Sequence, residues 1–218
     1  MKVINLSLVV LVLTMLFASS SRASLIFSGV TFEAGAAAFA DEVVSYTAGV
    51  NAGAGWNDPS VALGTPDWVG GSGTAVSLGI GGVLIVKFTD NSLTTSGNSD
   101  LDLWIFEVGT AVELFNVAIS ADGTSWIDLG DVIGQPTGID IDAAAGVVVG
   151  TQYSYVRLTD VAPNQSGSPF GEADIDAIGA ISSAPPVIEA SSVPEPVSLY
   201  ALFFGLALMV ARRKGITR

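Results

Sequence analysis

From Leu25 to about Ile181 the chain alternates short apolar, β-branched or aromatic runs with clusters of Gly, Asn, Asp and Pro. Short runs bounded in this way read as β-strands. The pattern predicts strands at Ile26–Phe32, Glu42–Thr47, Ala75–Leu78, Val83–Thr89, Leu101–Glu107, Glu113–Ser120, Ser125–Leu129, Gly138–Asp142, Tyr153–Thr159 and Ile175–Ile181. In Tyr153–Thr159 the period is two: Tyr153, Tyr155, Arg157 and Thr159 face one way, Val156 and Leu158 the other. Val117–Ser120, Ala121-Asp122-Gly123-Thr124 and Ser125–Leu129 form a hairpin signal, because Asp-Gly between apolar runs favours a tight turn with positive φ at the glycine. Ala34–Ala40 and Ala143–Val149 each have room for a helical turn. Many short strands at this spacing predict an all-β sandwich of the jelly-roll kind.

Two apolar runs stand outside this pattern. Val3–Ala18 follows Lys2 and precedes Ser21-Arg22-Ala23, which reads as a signal peptide over residues 1–23 with cleavage after Ala23. Val197–Ala211 is an uncharged run of 15 residues. As a helix it spans roughly 22 Å, short of the ~30 Å hydrocarbon core of a bilayer. Arg212-Arg213-Lys214 follow it as a positive-inside stop, leaving residues 212–218 on the cytoplasmic side. Ahead of it stands Val193-Pro194-Glu195-Pro196.

The order Val-Pro-Glu-Pro, short apolar helix, Arg-Arg-Lys over residues 193–218 resembles the PEP-CTERM sorting signal of Gram-negative bacteria. The resemblance implies recognition by an exosortase, a transmembrane helix over 197–211, and delivery to the cell surface or the extracellular matrix. It also implies a setting of exopolysaccharide production. Residues 182–192, with Pro185-Pro186, read as a spacer, so the folded domain is expected over 24–181.

Charge and composition narrow the function. All 21 Asp and Glu lie between Glu33 and Glu195, where the basic residues are Lys87 and Arg157, so this part carries −19. Such a surface repels nucleic acid, keeps an apolar chain dispersed, and attracts divalent cations. The chain has no cysteine, so its core rather than disulfides must hold it. It has no histidine, which removes the usual general base, the usual zinc ligand and any Ser-His pair.

A second resemblance is spread over most of Val43–Ala180. Its segments include Ala62-Leu63-Gly64-Thr65-Pro66-Asp67, Phe88-Thr89-Asp90-Asn91, Ile105-Phe106-Glu107, Ser120-Ala121-Asp122-Gly123, Tyr155-Val156-Arg157-Leu158-Thr159-Asp160 and Asp174-Ile175-Asp176-Ala177-Ile178. Their order is similar to exported bacterial domains of the galactose-binding-like, or discoidin-like, β-sandwich. That resemblance implies glycan or envelope binding, and in many members a structural calcium.

The residues themselves offer three candidate sites. Trp56 and Trp68 sit in a Gly-rich loop, where they either stack on a sugar or plug the end of the sandwich. Arg157 either contacts a ligand or pairs with an acid such as Glu107 or Asp176. Asp100, Glu107, Asp174 and Asp176, with Asp160 in reserve, are candidate calcium ligands, because Asp174 and Asp176 share a face on a regular strand and calcium takes six to eight oxygens. The expected function is a non-catalytic, exported glycan-binding protein. The alternatives are a glycan hydrolase working with carboxylates alone and a purely structural surface protein.

Overall fold

The computed structural model describes residues 23–161 and 172–187. The signal peptide, the helix 197–211 and the sorting residues Val193, Pro194, Glu195, Pro196, Arg212, Arg213 and Lys214 lie outside the described residues. The chain divides into two units, Met1–Val187 and Ile188–Arg218, and the description below concerns the first. Among the described residues no helix is long and apolar enough to cross a membrane.

The strands are β1 Leu25–Phe27, β2 Val30–Phe32, β3 Glu42–Thr47, β4 Val76–Ser77, β5 Val83–Lys87, β6 Ser92–Leu93, β7 Leu103–Val108, β8 Leu114–Ser120, β9 Ile127–Ile133, β10 Thr137–Ile139, β11 Tyr155–Asp160, β12 Asp174–Ala180 and β13 Ser183–Ala184. They build an all-β sandwich. One sheet runs β3-β5-β11-β8-β9 and the other β10-β7-β12-β4, with every pair antiparallel. Alternation decides what each sheet buries. Leu84 and Val86 of β5 and Val156 and Leu158 of β11 point inward from the first sheet. Leu103, Ile105, Ile175 and Ile178 meet them from the second. Each such side chain contributes about 1.5–3 kcal/mol when fully buried.

A second, aromatic cluster holds Phe27, Phe32 and Phe39 against Trp104, Phe106 and Ala177, and these last three alternate with the core-facing residues of β7 and β12. The β1–β2 hairpin thereby covers the back of the four-stranded sheet. Phe32 and Phe39 lie 4.6 Å apart between ring centroids, and Phe106 stands 6.1 Å from Phe32. Gly179 of β12 leaves the space they occupy, since a Cβ there would stand 2.7 Å from the Phe32 ring and 2.9 Å from that of Phe39.

Several sequence expectations are corrected. Ile26–Phe32 is a hairpin rather than one strand, because Ser28 and Gly29 both take positive φ (49° and 80°) and turn the chain in two residues. The stretch Gly138–Asp142 leaves the sheet after Ile139 and winds into a 3-10 turn at Ile141–Ala143. Tyr153 is not outward-facing: it precedes β11, bridges to Leu93, is buried, and its hydroxyl accepts the Val148 N–H. The segment read as a spacer starts inside the domain. There β13 pairs with β6, and Gln152 Nε2 donates to the Pro185 carbonyl. That pairing of two short polar strands has no apolar alternation to betray it. The Asp-Gly hairpin forms as expected: β8 and β9 are joined through Gly123 at φ 73°, with Asp122 accepting the Thr124 and Ser125 N–H groups.

The aromatic cover yields a test of this packing. Gly179→Val is expected to lower stability by about 1–3 kcal/mol, since the added carbons have nowhere to go. Thermal unfolding of the variant against the parent measures it, and an unchanged midpoint contradicts the packing described.

Candidate functional site: an acid nest beside a tryptophan-walled cavity

Four strand ends lie at one end of the sandwich: β7 ends at Val108, β8 begins at Leu114, β11 ends at Asp160 and β12 begins at Asp174. Acidic residues occupy all four strand ends. Glu107 sits near the end of β7, Glu113 directly before β8, Asp160 at the end of β11, and Glu172 and Asp174 at the start of β12. Register brings them together: Asp174 pairs with Val108, Ile175 with Glu107, and Asp160 with Phe115. The acids therefore come from both sheets and converge where the sheets meet.

All five are buried, Glu107 and Glu172 to 1% exposure. Both carboxylate oxygens of Glu107 and of Glu172, with Glu113 Oε1 and Asp174 Oδ1, are buried and accept no well-formed hydrogen bond. The Glu107 and Glu113 carboxyls stand within each other's electrostatic reach. The amide of Gln135, whose Nε2 is given to the Ala111 carbonyl, eases Glu107 only in part. Burial raises the Glu107 carboxyl well above its ordinary range, and the Glu113 group beside it pushes the same way. Glu113 is raised by burial and by the charge of Asp160. Burial, then the charges of Asp160, Glu113 and Asp174, lifts Glu172 to about 7. Burial and the charge of Glu113 lift Asp174 to about 7.

Next to the nest lies a cavity of about 380 Å³. Trp56 and Trp68 form its walls, Gly71, Ser72 and Gly109 to Ala111 its rim, and Glu113 and Asp174 belong both to its lining and to the nest. The loop carrying the tryptophans is tied down at two places. Ser77 of β4 donates its N–H to the Trp56 carbonyl at 2.7 Å, and Asp176 Oδ1 accepts the Asp67 N–H at 3.2 Å. Burial raises the Asp176 carboxyl to about 6, although the N–H groups of Asp67 and Trp68 pull it down. Trp68 also walls a second, more polar cavity of about 270 Å³, which Asp176, Glu107 and Gln135 line.

The sequence candidates thus separate. Trp56 and Trp68 come together in one cavity wall. Arg157 does not join them. It lies on the outer face of the five-stranded sheet, its guanidinium 4.6 Å from the Trp126 ring centroid, where its charge lowers the Asp128 carboxyl behind the larger effect of the Asn116 amide. Neither Glu107 nor Asp176 is its partner, because both belong to the other sheet. Among the calcium candidates, Glu107 and Asp174 are members of the nest. Asp100 is exposed and precedes β7, while Glu107 stands four residues beyond the first residue of that strand, roughly 13 Å along it. The two cannot share an ion. Asp176 sits at a bulge between Ile175 and Ala177, which interrupts the alternation expected to put it on one face with Asp174. Its carboxylate is committed to the Trp68 loop. Asp160, held in reserve, belongs to the nest, and its Oδ2 also accepts the Gly81 N–H. Glu113 and Glu172 were missed, although Glu113 directly precedes β8 and Glu172 stands two residues before β12.

A second acidic group, Asp102, Asp140 and Asp142, has oxygens within 4.8 Å of one another. Two of its carboxylates already serve the chain, while Asp140 Oδ1 is buried without a partner. Asp102 accepts the Ser96 and Ile141 N–H groups, and Asp142 accepts the Gly97 N–H and the Ser96 hydroxyl. In the nest, Glu107 and Glu172 have both oxygens without a well-formed hydrogen bond, while Asp160 accepts the Gly81 N–H. The basic side chains among the described residues, Lys87 and Arg157, lie over the Tyr155 and Trp126 rings. Among the described residues, a group of three carboxylates with oxygens within 4.8 Å of one another occurs at Asp102, Asp140 and Asp142 and not in the nest.

No known protein family matches the chain, and no curated protein is detectably similar to it. Among solved structures, the C-terminal domain of a chitobiase from Bacteroides fragilis is similar at 17% identity, over 68% of this chain and 95% of that domain, with a TM-score of 0.35. It assigns no function to this chain.

The raised carboxyls set the sign of a pH dependence. In the unfolded chain these groups ionise near 4, and in the fold they hold their protons to about 6 or 7 and, for Glu107, higher. Their stabilising contribution is complete below the unfolded value and is lost as pH rises through the folded ones. With a chelator present, the unfolding midpoint is expected to fall steadily from about pH 4 through pH 7 and above, and Glu107→Gln is expected to flatten the profile. A midpoint that rises over that range contradicts the burial described.

Proposed function

We propose that this protein is an exported, non-catalytic glycan-binding β-sandwich carried to the cell surface or extracellular matrix by its C-terminal segment. The observation that carries the reading is the cavity at the loop end, walled by Trp56 and Trp68 and floored by Glu113 and Asp174. A sugar ring has an apolar face that suits an indole and hydroxyls that suit carboxylates, and pockets of this size and mixed lining are ordinary ligand sites. Calcium, with Glu107 and Asp174 among its sequence candidates, is the cofactor this reading includes. The sorting half rests on Val193-Pro194-Glu195-Pro196, the run 197–211 and Arg212-Arg213-Lys214, with an exosortase as the partner and the membrane as a temporary anchor.

The hydrolase alternative draws on the same floor, because carboxyls held protonated near neutral pH suit a general acid. Release of reducing sugar from bound polysaccharide promotes it over binding alone.

A glycan array probed with the full chain in a non-glycosidic detergent tests the binding. Trp68→Ala is expected to cost roughly 1–3 kcal/mol of affinity, by analogy with the loss of other aromatic stacking platforms. Arg157→Ala is expected to leave binding unchanged. No glycan bound, or loss with Arg157 rather than Trp68, sinks this reading. For sorting, mass spectrometry of the surface protein is expected to find a new C-terminus near Pro196, and an intact Arg218 there contradicts it.

A further inference from the structure

The tryptophan-walled cavity is lined by two carboxylates and by no basic side chain. Glu113 and Asp174 are 3% and 4% exposed, and each keeps a buried oxygen, Oε1 and Oδ1, that accepts no well-formed hydrogen bond. The second oxygen of Asp174 turns toward the rim, since a Cβ on Gly109 would stand 3.7 Å from Oδ2. Asp160 and Glu172 add negative charge behind them. The cations of the domain do not answer it: Lys87 lies 5.2 Å from the Tyr155 ring centroid and Arg157 4.6 Å from that of Trp126, both on the five-stranded sheet. The cavity therefore offers acceptors, negative charge and aromatic faces, and its complement is a ligand with donors and positive charge. Resting on the glycan-binding reading above, we propose that the cavity takes a glycan bearing a free amino group, with its ammonium held by Glu113 and Asp174 and its ring against Trp56 and Trp68.

The chemistry favours an amine over a plain hydroxyl at this floor. A hydroxyl has one proton to donate and no charge. An ammonium has three protons and a full charge, so a single group can serve both carboxylates. The indole faces add an attraction for cations that a neutral sugar does not draw on. Protons held by the buried carboxyls do not stand in the way, because an opposite charge close by favours the ionised form. N-acetylation removes the charge and two of the three donors. Uronate and sulfated glycans meet like charge at the floor and are disfavoured. The recognised class is therefore a hexosamine glycan that is not N-acetylated, drawn in by the acidic domain around the cavity.

The test is a glycan array probed with the full chain in a non-glycosidic detergent at about pH 7, where such amines are largely charged, with a chelator present throughout. The array carries free-amine hexosamine glycans in several linkages, each beside its N-acetylated twin, together with uronate glycans. At least one free-amine glycan is expected to bind roughly tenfold or more tightly than its twin, and to lose that advantage when it is acetylated on the array. Glu113→Gln is expected to remove most of the preference, with Asp174→Asn as a second route to the same loss. Glu42→Gln, at an exposed acid on β3, is expected to leave it unchanged. If the N-acetylated twins bind as well, or the uronate glycans bind best, the inference fails and the glycan-binding reading stands. If the amine preference survives in both Glu113→Gln and Asp174→Asn, the acidic surface rather than the cavity attracts the ligand, and the inference fails. If no glycan binds, both fall.

Discussion

Carboxylates packed side by side out of water cannot all keep their charge. Either they hold protons, or a cation joins them. That constraint governs the end of the sandwich where β7, β8, β11 and β12 converge, because Glu107, Glu113, Asp160, Glu172 and Asp174 are all buried there. Repulsion among like charges in a poorly solvated space raises their proton affinities together. An apolar replacement would have been easier to bury. Their place at the junction of both sheets, beside a cavity, marks this end of the molecule as the candidate site.

The rest of the fold serves that junction by keeping it rigid. The two sheets are locked through Leu84, Val86, Val156 and Leu158 against Leu103, Ile105, Ile175 and Ile178. The aromatic hairpin clamps the back of β7 and β12, the two strands that deliver Glu107 and Asp174. The bulge at Asp176 turns a third acid away from the nest and uses it to hold the Trp68 loop. One strand thus positions an acid of the nest and, two residues later, the carboxylate that holds the cavity wall.

The sequence was most legible where local pattern decides structure. The alternation in β11 and the Asp122-Gly123 turn were read correctly, since each depends on a few adjacent residues. The Ser28-Gly29 turn was hidden inside a β-prone run, and β6 with β13 carried no apolar signal. The site was half legible. Trp56 and Trp68 drew attention as paired aromatics in a Gly-rich loop, and Glu107 and Asp174 as acids on strands. Glu113 and Glu172 could be recognised only once register joined two strand connections at one end. Asp100 was grouped with Glu107 because they bracket one strand, yet a strand separates its two ends. Arg157 was assigned an acid when the nearer attraction was the face of Trp126.

The central claim is that the acids at this end of the sandwich are buried together and hold their protons toward neutral pH. The most direct measurement is an NMR titration of the side-chain carboxyl carbons. The account predicts that Glu172 and Asp174 titrate at about 7 and Glu107 higher. Carboxyls that all titrate near 4, as in an unfolded chain, contradict it.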